Sequence, residues 1–141
     1  MNKILNDFLS NKGKYILYVD GSGSIGPKQL KLHNDTFTEI KNKIEDNLLV
    51  GYFDHEAHDL IPACEVDSID NLNPSGGGTS FHAAFKHIEK LYDVNEIAGI
   101  IMLTDGYAEW LKESITNGIP VLWIIIDSDV IPPWGLYYKI K

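Results

Sequence analysis

Apolar residues fall into two kinds of pattern along this chain. Lys14–Asp20 (KYILYVD), Leu48–Asp54 (LLVGYFD), Glu96–Thr104 (EIAGIIMLT) and Pro120–Asp127 (PVLWIIID) are near-continuous apolar runs. They have strand length, and the last two, rich in isoleucine, fit central strands buried on both faces. Between them the apolar spacing changes to three and four. Leu30, Phe37, Ile40 and Ile44 follow Pro27, which suits the first position of a helix, and the pattern predicts a helix through Glu45. Phe81, Ala84, Phe85, Ile88 and Leu91 lie on one face of a second helix over Phe81–Tyr92. Ala57–Val66 follows the second strand so closely that it predicts an antiparallel hairpin partner, with Pro62 marking an edge strand or a bulge. Ala108–Asn117 reads as a short helix stopped by Asn117-Gly118, and PPWGLYYKI as a turn and a last short strand. The order β-α-β-β-α-β-(α)-β-β predicts an α/β fold: a single-domain open, mostly parallel sheet with one antiparallel edge strand and helices on both faces. Residues 1–13 read as a lead-in and 14–141 as the domain.

Composition narrows the functional classes. The chain has 141 residues, 44% of them hydrophobic and 23% charged, which suits one globular domain. A net charge of −8 and the lack of any arginine disfavour contact with nucleic-acid backbones and favour divalent cations. A single cysteine, Cys64, excludes an internal disulfide; within the apolar run LIPACEV it reads as a buried small hydrophobe in a reducing compartment. MNKILNDFLS contains no long apolar core and no apolar run reaches membrane length, so the expectation is a cytoplasmic protein without membrane contact. Trp123 falls in a buried-strand pattern, whereas Trp110 and Trp134 stand near turns, either capping the core or marking an interface.

In open α/β sheets the chemistry gathers at the carboxyl ends of the strands. Three loops converge there: Asp20-Gly21-Ser22-Gly23-Ser24, Gly76-Gly77-Gly78-Thr79-Ser80 and Thr104-Asp105-Gly106. The first resembles a phosphate loop, but Pro27 follows Gly26 where that signature needs lysine, and proline removes a backbone donor. No GxSxG frame is present for a serine nucleophile, and of the five histidines only His82 is close to these loops in sequence. His55-Glu56-Ala57-His58 has the wrong spacing for a helical zinc motif and reads as a polar turn. What remains is a hard cation held by oxygens. Asp20, Ser22 and Ser24 alternate along an extended loop, and Thr79 and Asp105 close the site from its neighbours. Capping and turn roles account for each element singly; the set together points to metal.

Asp20-Gly21-Ser22-Gly23-Ser24, the distant Thr79 and the TDG at Thr104–Gly106 resemble the metal-ion-dependent adhesion site of von Willebrand factor A (VWA) domains. GGGTSFHAAF, IIMLTDGYAEW, PVLWIII and PPWG are similar to the compact VWA-like domain of bacterial and phage putative-metallopeptidase proteins. The resemblance runs from about Lys14 to the C-terminus and implies a Rossmann-like VWA fold. It implies that Ser22, Ser24 and Thr79 contact Mg²⁺ or Mn²⁺, with Asp20 and Asp105 acting directly or through water, and that a protein partner donates an Asp or Glu to complete the site. A AAA+ ATPase or a metallopeptidase-like protein is the partner class it suggests. Gly76, Gly77, Gly78 and Gly106 shape the loops, and Asp54 either supports the site from behind or serves a simple turn. No HExxH motif is present, so the expectation is a non-enzymatic interaction module. A small Mg²⁺-dependent hydrolase or phosphotransferase, or a domain that metal merely stabilises, are the alternatives.

Overall fold

A computed structural model describes residues 2–21, 27–69 and 78–141. The elements are α1 (Asn2–Phe8), β1 (Lys14–Asp20), α2 (Pro27–Ile44), β2 (Leu48–Phe53), β3 (Ile61–Pro62), α3 (Phe81–Leu91), β4 (Ile97–Thr104), β5 (Val121–Ile126) and β6 (Leu136–Ile140). The six strands form one sheet in the order β3-β2-β1-β4-β5-β6. β3 is antiparallel to β2, and every other pairing is parallel. This is the expected α/β architecture, with its antiparallel strand at one edge.

Alternation along the central strands explains why their sequences show no polar face. Tyr15, Leu17 and Val19 point to one side, with Leu103, Ile124, Phe37 and Ile40; Ile16 and Tyr18 point to the other, with Met102, Trp123, Phe81 and Phe85. α2 therefore covers the first face and α3 the second. α1 adds Leu5 and Phe8 to the first face, so the residues ahead of β1 are packed into the same core. Gly99 makes room for this helix: a Cβ there would stand 2.7 Å from the Phe8 ring.

Two elements are smaller than the sequence pattern predicts. The expected strand over 57–66 shrinks to Ile61–Pro62 and one bridge between Phe53 and Ala57, and Ala63–Glu65 forms a 3₁₀ turn. Pro62 has no N–H to extend the ladder, and its place on an edge strand agrees with expectation. In that turn Ala63 is buried and Cys64 exposed, which corrects the reading of Cys64 as a buried residue. The expected helix over 108–117 is reduced to a 3₁₀ turn at Glu113–Thr116, ended by Asn117 and Gly118 with positive φ of 53° and 86°. Residues ahead of it are held out of helix by tertiary contacts: Trp110 packs on Phe81 and Trp123, and the Trp134 Nε1–H donates to the Leu111 carbonyl at 2.7 Å. Trp110 and Trp134 thus cap the core around Trp123. No helix among the described residues is long and apolar enough to cross a membrane.

Candidate functional site

Register determines which polar residues meet. Asp20 pairs with Phe53 across β1 and β2, Val19 with Leu103 across β1 and β4, and Thr104 with Ile125 across β4 and β5. Asp20, Thr104 and Ile126 therefore end their strands side by side, on the edge of the sheet where three loops leave it. The Gly21 N–H donates to the Phe53 carbonyl at 2.7 Å and carries the chain from β1 past the end of β2.

Asp20 is only 2% exposed. Its Oδ2 accepts a hydrogen bond from the buried Thr104 hydroxyl at 2.7 Å, and that hydroxyl accepts from the Gly106 N–H at 3.1 Å. Thr104 thus orients the carboxylate and fastens the following loop at once. Asp105 accepts from the Tyr107 N–H at 3.0 Å, closing a tight turn. Gly106, with φ of 83°, lets this loop lie against Val130. Asp20 and Asp105 share a small pocket of about 60 Å³ with Gln29, His33, Tyr107, Ile126 and Asp127. On its far wall Asp127 is engaged by Lys28 Nζ at 3.2 Å and Gln29 Nε2 at 3.0 Å, both from the first turn of α2.

Thr79 is not part of that pocket's lining; it stands at the start of α3, next to the N-cap. Ser80 Oγ accepts from the Ala83 N–H at 3.2 Å, and the Ser80 N–H donates to the Asp54 carbonyl at 2.7 Å. Asp54 is fully buried, and its Oδ1 accepts from the Glu56 N–H at 3.0 Å with His58 Nε2 at 3.3 Å and His55 Nδ1 at 3.4 Å. Asp54 therefore holds its own turn through the side chain and the approach to α3 through the backbone. Gly78 has open space where a Cβ would lie. Ser22, Ser24, Gly76 and Gly77 lie outside the described residues.

The histidines separate by position. His82 is exposed, and His87 takes a 2.5 Å hydrogen bond with the Tyr18 hydroxyl. Sequence proximity had singled out His82; the imidazole that lines the pocket is His33, from the second turn of α2. His33 is 2% exposed, and its Nδ1 has no hydrogen-bond partner. Burial lowers its pKa from 6.5 to about 4. A signal for it exists in the sequence: His33 occupies a position on the apolar stripe of Leu30, Phe37 and Ile40, where a polar ring has no packing reason to be.

That pKa gives a direct prediction. In the metal-free protein the unfolded chain takes up this proton first as pH falls, so stability declines between pH 6.5 and about 4 and, for this group, levels off below. At roughly 1.4 kcal/mol per pKa unit the loss reaches about 3 kcal/mol. Urea titrations in EDTA at near-neutral and mildly acid pH should show His33→Leu losing less than the native chain.

Among the described residues, no group of three or more His, Cys, Asp or Glu side chains is placed to hold a metal ion. Two of the five oxygen donors singled out from the sequence lie outside those residues, and Asp20 and Asp105 suit a hard cation by their oxygen chemistry. A family profile described as VWA-like domain (DUF2201) matches residues 15–141. No curated protein gives a significant match.

Proposed function

The chain belongs to the family of VWA-like domains, and from that footing we propose that it is a metal-dependent protein-interaction module. Mg²⁺ or Mn²⁺ is the cation, and Ser22, Ser24 and Thr79 with Asp20 and Asp105 are the residues that would hold it. The observation carrying this reading is the convergence of Asp20 and Asp105 on one pocket at the carboxyl edge of a parallel sheet, with Asp20 oriented by Thr104. A bound cation supplies a Lewis-acid centre for a carboxylate from a partner protein. The protein's part is to hold the strand ends in register and to limit the charge around the metal.

A hydrolase reading has less support. The imidazole in this pocket, His33, has its pKa held at about 4, far below the neutral range that suits a general base. Its low basicity supports the binding reading over turnover.

Thermal unfolding with and without Mg²⁺ tests the proposal. A specific site stabilises the native chain as RT ln(1 + [Mg²⁺]/Kd), about 2.7 kcal/mol at 100 times Kd. Asp20→Ala should abolish that increment. Absence of any metal-dependent shift in the native chain, with Mg²⁺ and Mn²⁺ both at millimolar concentration, would refute it. Capture of a partner in Mg²⁺ but not in EDTA, lost on alanine substitution of the partner's carboxylate, would support the docking role.

A further inference from the structure

His33 takes the place of an apolar residue on the buried face of α2. Leu30, Phe37 and Ile40 show what that stripe ordinarily contains, and a leucine at 33 would continue it. Instead an imidazole sits there 2% exposed, with Nδ1 unbonded. Leaving a buried polar group unsatisfied costs stability, so such a group in a native fold calls for a partner or a role.

Nδ1 itself has almost no water-accessible surface, so the pocket-facing edge of the ring is the part that can meet water. His33 forms the pocket wall together with Asp20, Asp105, Asp127, Gln29 and Tyr107. The pocket volume, about 60 Å³, has room for water, and a buried water needs two to four polar neighbours. Direct ligation by the imidazole does not fit, because Asp20, Asp105 and His33 are not placed to hold one ion between them. Contact through water does fit, since Mg²⁺ and Mn²⁺ bound by few protein oxygens retain waters of their own.

Resting on the metal reading above, we infer that His33 belongs to the outer hydration shell of the cation site: its imidazole holds a water that Asp20 and Asp105 also hold, and so sets how tightly the cation is bound. It is a positioning residue, acting on the metal through water and carboxylate. α2 thereby couples the core face of the domain to the metal edge.

The test is titration calorimetry of the full chain with Mn²⁺ and with Mg²⁺, for the native protein, His33→Leu and His33→Gln, alongside unfolding of each in EDTA. His33→Leu should weaken both cations about 10- to 100-fold, the range for lost outer-shell partners, while the unfolding midpoint in EDTA stays level or rises. His33→Gln, which keeps a polar head in the pocket, should recover most of the affinity. Water-proton relaxation on the Mn²⁺ complex should also fall in His33→Leu and return in His33→Gln. Cation binding by His33→Leu within about twofold of the native chain overturns the inference and leaves the metal reading standing. Equal weakening in the leucine and glutamine variants, tracking a fall in the EDTA midpoint, overturns it as well. If the native chain itself binds neither cation, the metal reading fails and takes this inference with it.

Discussion

Trp123→Ala should destabilise the fold by about 3–5 kcal/mol, the range for removing a large aromatic from a core that cannot collapse around the gap. Trp123 is fully buried on β5, and its ring meets Phe81 at 5.0 Å, Trp110 at 4.7 Å, Trp134 at 5.3 Å and Phe85 at 6.2 Å between centroids. These rings come from α3, from both irregular connections flanking β5 and from the strand itself. Removing the central one takes a ring contact from all four of its neighbours. Against a total stability of about 5–15 kcal/mol for a domain, the loss is a large fraction, and the thermal midpoint should fall by roughly 10–20 °C. Trp123→Phe makes the sharper comparison. The Trp123 Nε1–H is buried without a partner, so phenylalanine gives up a costly polar group as well as volume. Its penalty should be well under half that of alanine, measured by urea unfolding, with the near-ultraviolet aromatic signal of the cluster retained in part.

Gly106→Ala should cost about 2–4 kcal/mol and should loosen the metal edge at the same time. Two separable terms add. Gly106 has φ of 83°, where an L residue pays about 1–2 kcal/mol. A Cβ there would also stand 2.7 Å from Val130 Cγ1 and 3.0 Å from Val130 Cβ, and a β-branched side chain has no free end to swing away. A double-mutant cycle separates them in part: Val130→Ala removes the Cγ1 clash but keeps the Cβ at 3.0 Å and the backbone strain, so the double variant should retain a penalty somewhat above about 1–2 kcal/mol relative to Val130→Ala alone. Additivity of the two substitutions would mean that the loop after β4 moves aside instead of pressing on Val130. Because the Gly106 N–H also donates to the Thr104 hydroxyl that orients Asp20, a displaced loop should weaken metal-dependent stabilisation as well.

Much of the fold was legible in the residues because both faces of the central sheet are buried. Continuous apolar runs located β1, β2, β4 and β5 within a residue or so of their bounds, and the spacing of three and four located α2 and α3. Legibility failed where long-range contacts override local preference. Residues 108–112 carry a helical pattern, but docking of Trp110 and the bond from Trp134 to Leu111 hold them irregular. Cys64 sits in an apolar run, yet Pro62 ends the ladder and the turn that follows rotates it outward. β6 pairs parallel to β5 through a connection, 127–135, that contains no helix and is shorter than most parallel crossovers; a single chain pattern does not specify that direction.

The candidate site divides the same way. The amino-acid order by itself determined that Asp20 ends a strand and Asp105 directly follows one, since each closes an apolar run, and that oxygen donors dominate the adjoining loops. That the two carboxylates approach each other was expected from the strand order; that they line one pocket depends on β1 pairing with β4 across most of the chain. The tertiary structure alone decided that Thr104 orients Asp20, that the Asp54 side chain bonds within its own turn, and that His33 faces the same pocket from α2. Sequence distance favoured His82, but helix packing carries His33 under the strand ends. The physical reason is general: burial periodicity is written locally in the chain, whereas proximity between polar groups is set by register and by which helix face meets the sheet.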